Sequence, residues 1–304
     1  MKTILLSGSS GYLGLRLEHF LNSRSSFQIR AASTKSKKWP FLLENDSNFH
    51  IITHGAQFVI HLAGKNAQSC EEKPLEAYVQ NRDSTLSLYK SSVQNNVELF
   101  IFASTIHVYG SPLRGTLNES GQTTPVSIYA KSKIEAEQIL FANKSPITKI
   151  KILRLSNIVG APERVESCDW NLIVNSLCRD AIIKKEISLR TNGLGVRNFL
   201  SIRDFEKSVF DILSLKEHSD FEIINLGGKR NYSMAEIAEI ISEEYFDLFK
   251  ERIPIKFGEA VDPTSDNFMF SVEKAKSMNL SLDSDIRDDI REMLMFCNKN
   301  FNNA

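Results

Sequence analysis

Tyr129 and Lys133 stand four residues apart in "VSIYAKSKIEAEQIL", residues 126–140. In a helix that spacing puts both side chains on one face, one turn apart. A free phenol titrates near about 10 and an ammonium near about 10.4. A cation beside the phenol favours phenolate, so its proton becomes easier to give or take near neutral pH. Such a pair suits an acid–base for a carbonyl/alcohol interconversion. The spacing alone also fits a solvated surface contact. Two hydroxyls sharpen the choice. Ser104 and Thr105 end the apolar run in "FIFASTIHVYG" (100–110), where a hydroxyl could hold a substrate oxygen while Tyr129 exchanges the proton.

These residues need elements to position them. Apolar runs at 2–8, 27–33, 57–63, 98–104 and 149–155 read as strands. Helical spacing separates them at 12–23, within 73–95 and at 127–143. "QFVIHLA" is continuously apolar, as strands buried on both faces tend to be. The alternation predicts an α/β fold built on a parallel, doubly wound sheet. Beyond 155, "WNLIVNSLCRDAIIKK" reads as a helix and "DFEIINLGG" (220–228) as a strand returning to the sheet. Ser233 and Glu236 have capping-box spacing ahead of another helix. The stretch 34–56 yields no clear pattern.

The first strand runs into "GSSGYLG", with Gly8, Gly11 and Gly14, and a helix begins at once. A strand-to-helix turn presents backbone N–H groups and the positive end of a helix dipole, which suit a pyrophosphate. Ser10, Tyr12 and Leu13 fill the rest of this turn. The spacing GxxGxxG differs from the GxGxxG dinucleotide fingerprint, so a plain glycine-capped turn is the alternative. The fingerprint also places an acid about 20 residues on, at the end of the second strand, for a ribose hydroxyl. Ser33, Thr34 and Lys35 stand there instead, with Arg30 inside the strand. Hydroxyls and a cation favour a 2′-phosphate, and hence NADP(H) over NAD(H).

Composition excludes other classes. Lys+Arg and Asp+Glu each number 37 in 304 residues, so no nucleic-acid surface or polybasic membrane patch is indicated. No apolar run reaches the 18 or so residues of a membrane span. Cys70, Cys168, Cys178 and Cys297 lack zinc-like spacing, and the six histidines form no metal motif, so no metal is expected. Reduced thiols place the chain in the cytoplasm.

With these residues in view, the sequence resembles the extended short-chain dehydrogenase/reductases, in particular the NAD(P)-dependent epimerase/dehydratase branch that acts on nucleotide sugars. The resemblance spans nearly the whole chain. It rests on "GSSGYLG" (8–14), "VIHLAG" (59–64), Asn81 in "VQNRDST", "STIHVYG" (104–110), "YAKSK" (129–133), "RLSNIVGAP" (154–162), "VRNFLSIRDF" (196–205) and "NLGG" (225–228). It implies Tyr129 as acid–base, Lys133 as the cation that lowers its pKa and binds the nicotinamide ribose, and Thr105 as the catalytic hydroxyl, with Ser104 a second candidate. Leu62, Ala63, Gly64 and Asn81 would lie beside the cofactor. Lys65, His107, Asn157 and Arg197 would face the substrate, Arg197 at its diphosphate.

The same resemblance bears on the reaction. Sugar 4,6-dehydratases of this family look like "TDEVYG", whose Asp-Glu pair supports elimination; Ile106 and His107 stand in those places here. The expectation is therefore an NADPH-dependent ketoreductase acting on a nucleotide-linked keto sugar. The alternatives are an epimerase that keeps NAD(P) bound and a non-catalytic dinucleotide sensor. Residues 1–155 plus 199–227 would form a Rossmann-type dinucleotide-binding domain, and 156–198 plus 228–304 a smaller substrate-binding lobe. Family members commonly form homodimers through two helices per subunit, here those within 73–95 and 127–143.

Overall fold

The computed structural model describes residues 1–24, 26–41, 46–261 and 268–302. The central sheet has six strands: β1 (Lys2–Ser7), β2 (Phe27–Ala32), β3 (Phe58–His61), β4 (Leu99–Thr105), β6 (Lys149–Leu155) and β10 (Phe221–Leu226). Four further strands fall between or beyond them before the C-terminal region: β5 (Gly115–Leu117), β7 (Asn157–Val159), β8 (Ile187–Ser188) and β9 (Val196–Ser201). The last are β11 (Asn231–Ser233), β12 (Ile255–Lys256) and β13 (Phe268–Phe270). The central order is β10-β6-β4-β3-β1-β2. Register is parallel from β2 through β6. Ile150 N donates to Asp220 O at 3.0 Å where β10 joins β6.

Helices α1 (Tyr12–Asn22), α2 (Asp46–Thr53), α3 (Ala67–Glu72), α4 (Pro74–Tyr78), α5 (Ser84–Gln94) and α6 (Ile128–Ala142) accompany these strands. All seven residues of β4 are buried, which explains its unbroken apolar run. Because the chain crosses from β2 over to β3 on the other flank of β1, the carboxyl ends of β1 and β3 border a switch point. Open parallel sheets take ligands at such a point.

The chain divides into two compact units. The first is Met1–Ser111, Glu119–Leu155 and Val209–Ile224; the second is Pro112–Asn118, Ser156–Ser208 and Asn225–Ala304. In the second unit β9 pairs with β7 and β11 in a separate three-stranded sheet. Around it lie α7 (Ile173–Ile183), α8 (Ile202–Ser214, whose last turns belong to the first unit), α9 (Met234–Phe249), α10 (Glu273–Ser277) and α11 (Ile286–Phe301). Apolar side chains of α7, α9 and α11 form its core, among them Leu177, Ile241 and Leu294. Ser233 and Glu236 make the expected capping box on α9. Within the stretch that gave no pattern, α2 is a helix, and residues 42–45 lie outside the described ones.

Candidate active site

The glycine turn is shaped by what its residues lack. Gly8 has φ +75°, and a Cβ there would stand 2.6 Å from the Ala63 nitrogen. A Cβ on Gly14 would stand 2.1 Å from the Gly8 oxygen. The turn therefore packs backbone on backbone, and a side chain at either position would force it open. Gly11 caps α1 without a side chain, and the first turn of α1 carries no acid. Ser10 is half-buried and Gly11 exposed, with Tyr12 buried and Leu13 half-buried behind them. Ser9 fastens the turn to β2 by donating from N and Oγ to Ala32 O at 3.3 and 3.2 Å. An approachable backbone at a helix N-terminus, with no acid to repel an anion, fits a pyrophosphate.

The end of β2 departs from the expectation in part. Arg30 does not face a ligand: its Nη1 donates to Ile52 O and His54 O at 2.5 and 2.8 Å, at the C-terminus of α2. Ser33 is buried, and its backbone closes a loop, donating to Trp39 O and accepting from Phe41 N. Thr34 and Lys35 are exposed.

Beside the turn, Leu62 N donates to Ser7 O at 3.2 Å, and Gly64 faces Asn81: a Cβ there would lie 2.6 Å from Asn81 Oδ1. A single π-helical turn, Val79–Asp83, links α4 to α5 and carries Asn81 fully inward. Asn81 Oδ1 accepts from Lys65 N at 2.7 Å, while Nδ2 reaches Lys65 O at 3.3 Å and Ser132 Oγ at 3.0 Å. Asn81 thus braces the 63–65 backbone against α6. The Lys65 ammonium pairs with Glu76 at 2.8 Å.

Tyr129 and Lys133 lie on α6, whose N-cap Ser127 accepts from Ala130 N at 3.2 Å. The small residues Ala130, Ser132 and Ala136 are buried on this helix. Tyr129 is half-buried. Lys133 is 5% exposed; its Nζ lies 6.0 Å from the Tyr129 ring centre and donates to Ala103 O at 2.9 Å. Burial pushes Lys133 down to about 8. The shift makes its proton easier to release than that of an exposed lysine.

The two candidate hydroxyls differ. Ser104 is buried and its Oγ donates to Glu137, so it is engaged within the core rather than presented to a substrate. Thr105, one residue on, ends β4 and caps the short 3-10 turn Ile106–Tyr109 by accepting from His107 N at 3.3 Å. His107 is exposed on that turn. Asn157 and Arg197 belong to the second unit, on the paired strands β7 and β9; Asn157 Nδ2 donates to Asn198 O at 2.8 Å. Among the described residues no cluster suits a metal ion, and no helix is long and apolar enough to cross a membrane.

Residues 4–227 match the model of the NAD dependent epimerase/dehydratase family. The chain belongs to that family. It is 29% identical to the UDP-glucose 4-epimerase of Yersinia enterocolitica over 270 residues, 76% of this chain and 79% of that one. It is 26% identical to the GDP-6-deoxy-D-talose 4-dehydrogenase of Aggregatibacter actinomycetemcomitans over 246 residues, 79% of each. The structure of UDP-glucose 4-epimerase from Bifidobacterium longum, in complex with NAD+ and UDP, superposes with a TM-score of 0.81. That match covers all of both chains at 22% identity, a likeness of fold.

Three buried polar residues of this family member escaped sequence reasoning. Glu137 lies one further turn along the Tyr129–Lys133 stripe and pairs with Arg154 from β6. The signal was an arginine inside the apolar strand "KIKILRL" and an acid at the i+8 position from Tyr129. His61, at the end of β3, is fully buried between Ser7 Oγ at 2.6 Å and Thr85 Oγ1 at 2.9 Å. Burial, then the Lys133 charge, pushes it down to about 3, so it is a neutral strut.

Proposed function

We propose that this protein is a nucleotide-sugar epimerase that inverts a secondary alcohol through a transient ketone. The observation that carries the reading is a buried, cationic Lys133 beside a half-buried Tyr129 at the same sheet edge as the glycine turn. The backbone of Gly8–Gly14 would hold a dinucleotide pyrophosphate, with Ala63 and Gly64 alongside and Lys133 at the nicotinamide ribose. When bound there, a nicotinamide dinucleotide supplies reversible hydride acceptance. Tyr129 as phenolate takes the substrate hydroxyl proton as the C–H hydride leaves the same carbon, and Thr105 holds that oxygen. After the ketone turns its other face, Tyr129 returns the proton as the hydride returns to carbon. No carboxylate follows Thr105, since Ile106 is buried and His107 stands in the next place, so the acid pair that supports water elimination is absent.

The names of the relatives support the epimerase and a uridine or guanosine diphosphate sugar as substrate. On this reading the first unit binds the dinucleotide and the second binds the substrate through Asn157 and Arg197. On this reading the protein is a cytoplasmic homodimer paired through the helices within 73–95 and 127–143; Leu75 on α4 and Val79 just after it are exposed. The second reading is an NADPH-dependent ketoreductase. It is favoured by the end of β2, where Ser33, Thr34 and Lys35 supply hydroxyls and a cation but no acid. A panel of UDP- and GDP-sugars and their 4-keto forms separates the two. Epimerisation gives a mixture of epimers without net cofactor consumption, whereas stoichiometric loss of NADPH per product would replace the first reading with the second.

A further inference from the structure

Below the Tyr129–Lys133 pair, α6 carries a second buried charge. Tyr129, Lys133 and Glu137 follow one another at four-residue intervals and so form one stripe. The Glu137 and Arg154 side chains are 3% and 4% exposed. Arg154 Nη2 donates to Glu137 Oε2 at 2.6 Å, and its Nε lies 3.2 Å from each carboxylate oxygen. Ser104 Oγ donates to the same carboxylate. Ser104 and Arg154 are direct register partners on β4 and β6, so one carboxylate binds both strands to the helix. One residue earlier, Ala103 O accepts from Lys133. The helix therefore grips β4 at two consecutive residues, immediately before Thr105.

A buried ion pair seldom adds stability over apolar residues of equal volume, because desolvation offsets its attraction. Its presence here calls for a role in placement. We propose that Glu137 is a positioning residue that clamps the end of β4 to α6, setting Thr105 against Tyr129, and that it supplies the buried counter-charge of Lys133. The proposal rests on the acid–base reading of Tyr129 and Lys133. The groups bearing on Lys133 are Cys70 from α3, His61 from β3, and Tyr129 and Glu137 from α6 itself. Against the lowering by burial, Cys70 and then Glu137 favour its ammonium.

The test follows Lys133 directly. In protein labelled with 13Cε-lysine, its NMR signal, assigned by its loss in Lys133→Met, is titrated with pH. Glu137→Gln keeps an acceptor for Ser104 and removes the charge. Its Lys133 midpoint is expected to fall by about half a pH unit or more. Its turnover is expected to fall about tenfold or more at unchanged dinucleotide affinity, because placement and not binding is disturbed. If Glu137→Gln alone does not fold, Glu137→Gln with Arg154→Gln removes both charges of the pair; the midpoint is then expected to fall by less, because no Arg154 charge is left unpaired, and turnover still by about tenfold. A folded variant with the wild-type midpoint, or with wild-type turnover, overturns the proposal. The midpoint is read without substrate. A protein that bound no dinucleotide would refute the functional reading and leave the clamp to be decided by NMR.

Discussion

The glycine turn and the β4–α6 corner stand at the same edge of one sheet and are built in opposite ways. The turn depends on absent side chains: the backbone of Gly8 meets that of Ala63, the backbone of Gly14 meets that of Gly8, and a Cβ on either glycine would intrude. The corner depends on charged side chains taken out of water, with Lys133, Glu137 and Arg154 each 5% exposed or less. A surface that accepts a phosphate can be made from amides alone. A group that moves protons needs charges whose strength water does not weaken, and these must be paired to be tolerated. The binding half of the site is thus local, whereas the reactive half is assembled from α3, α6, β4 and β6.

The largest expected effect falls on the corner. Tyr129→Phe deletes the exchangeable proton and little else, so turnover should drop by about 10²–10⁴-fold while dinucleotide still binds. Parallel kinetics and cofactor titration check this; wild-type turnover would remove the corner's reactive role. Arg154→Met should lower unfolding free energy by roughly 3–5 kcal/mol, because the buried Glu137 carboxylate loses its counter-ion. Denaturant unfolding measures it, and a loss below about 1 kcal/mol would mean that the pair is exposed in solution.

Changes at the turn should be smaller in stability and larger in binding. Gly14→Ala presses a methyl against Gly8 O and should cost about 1–3 kcal/mol. Dinucleotide affinity should fall with it, and a variant that binds as wild type would show that the turn is not the phosphate site. Between the two regions stands His61. Its folded value is depressed from 6.5 to about 3, so its contribution to stability is complete above 6.5 and is lost as pH falls towards 3. The loss approaches about 1.4 kcal/mol per pH unit within that window. His61→Gln should flatten the stability profile between pH 6.5 and 4; an unchanged slope would place the acid sensitivity elsewhere.

The difference in construction also explains what could be read from the chain. The turn was legible because glycine spacing after an apolar strand is a local pattern, and "GSSGYLG" leads into α1 as expected. The five strands of the N-terminal half were legible for the same reason, their apolar runs being continuous. Tyr129 and Lys133 share a helix face, so their proximity follows from spacing. Ser104 was offered as a substrate ligand because nothing local to "FAST" announces an acid from 33 residues away. Arg30 was seen only as a cation inside the second strand, because the α2 carbonyls that receive it lie in the unpatterned stretch. The separate sheet of β7, β9 and β11 was missed because β7 and β11 are only 3 residues long, too short to show a period.

One measurement bears most directly on the division of labour between Tyr129 and the hydride carrier. The nucleotide sugar that turns over is epimerised in D2O, and the carbon-bound hydrogen at the inverted centre is followed by 1H NMR. If Tyr129 exchanges only the hydroxyl proton and the carbon-bound hydrogen leaves and returns as hydride, both epimers retain protium at that carbon. Solvent deuterium appearing there at a rate matching inversion would mean that the protein removes a carbon-bound proton, and would contradict the role assigned to the corner.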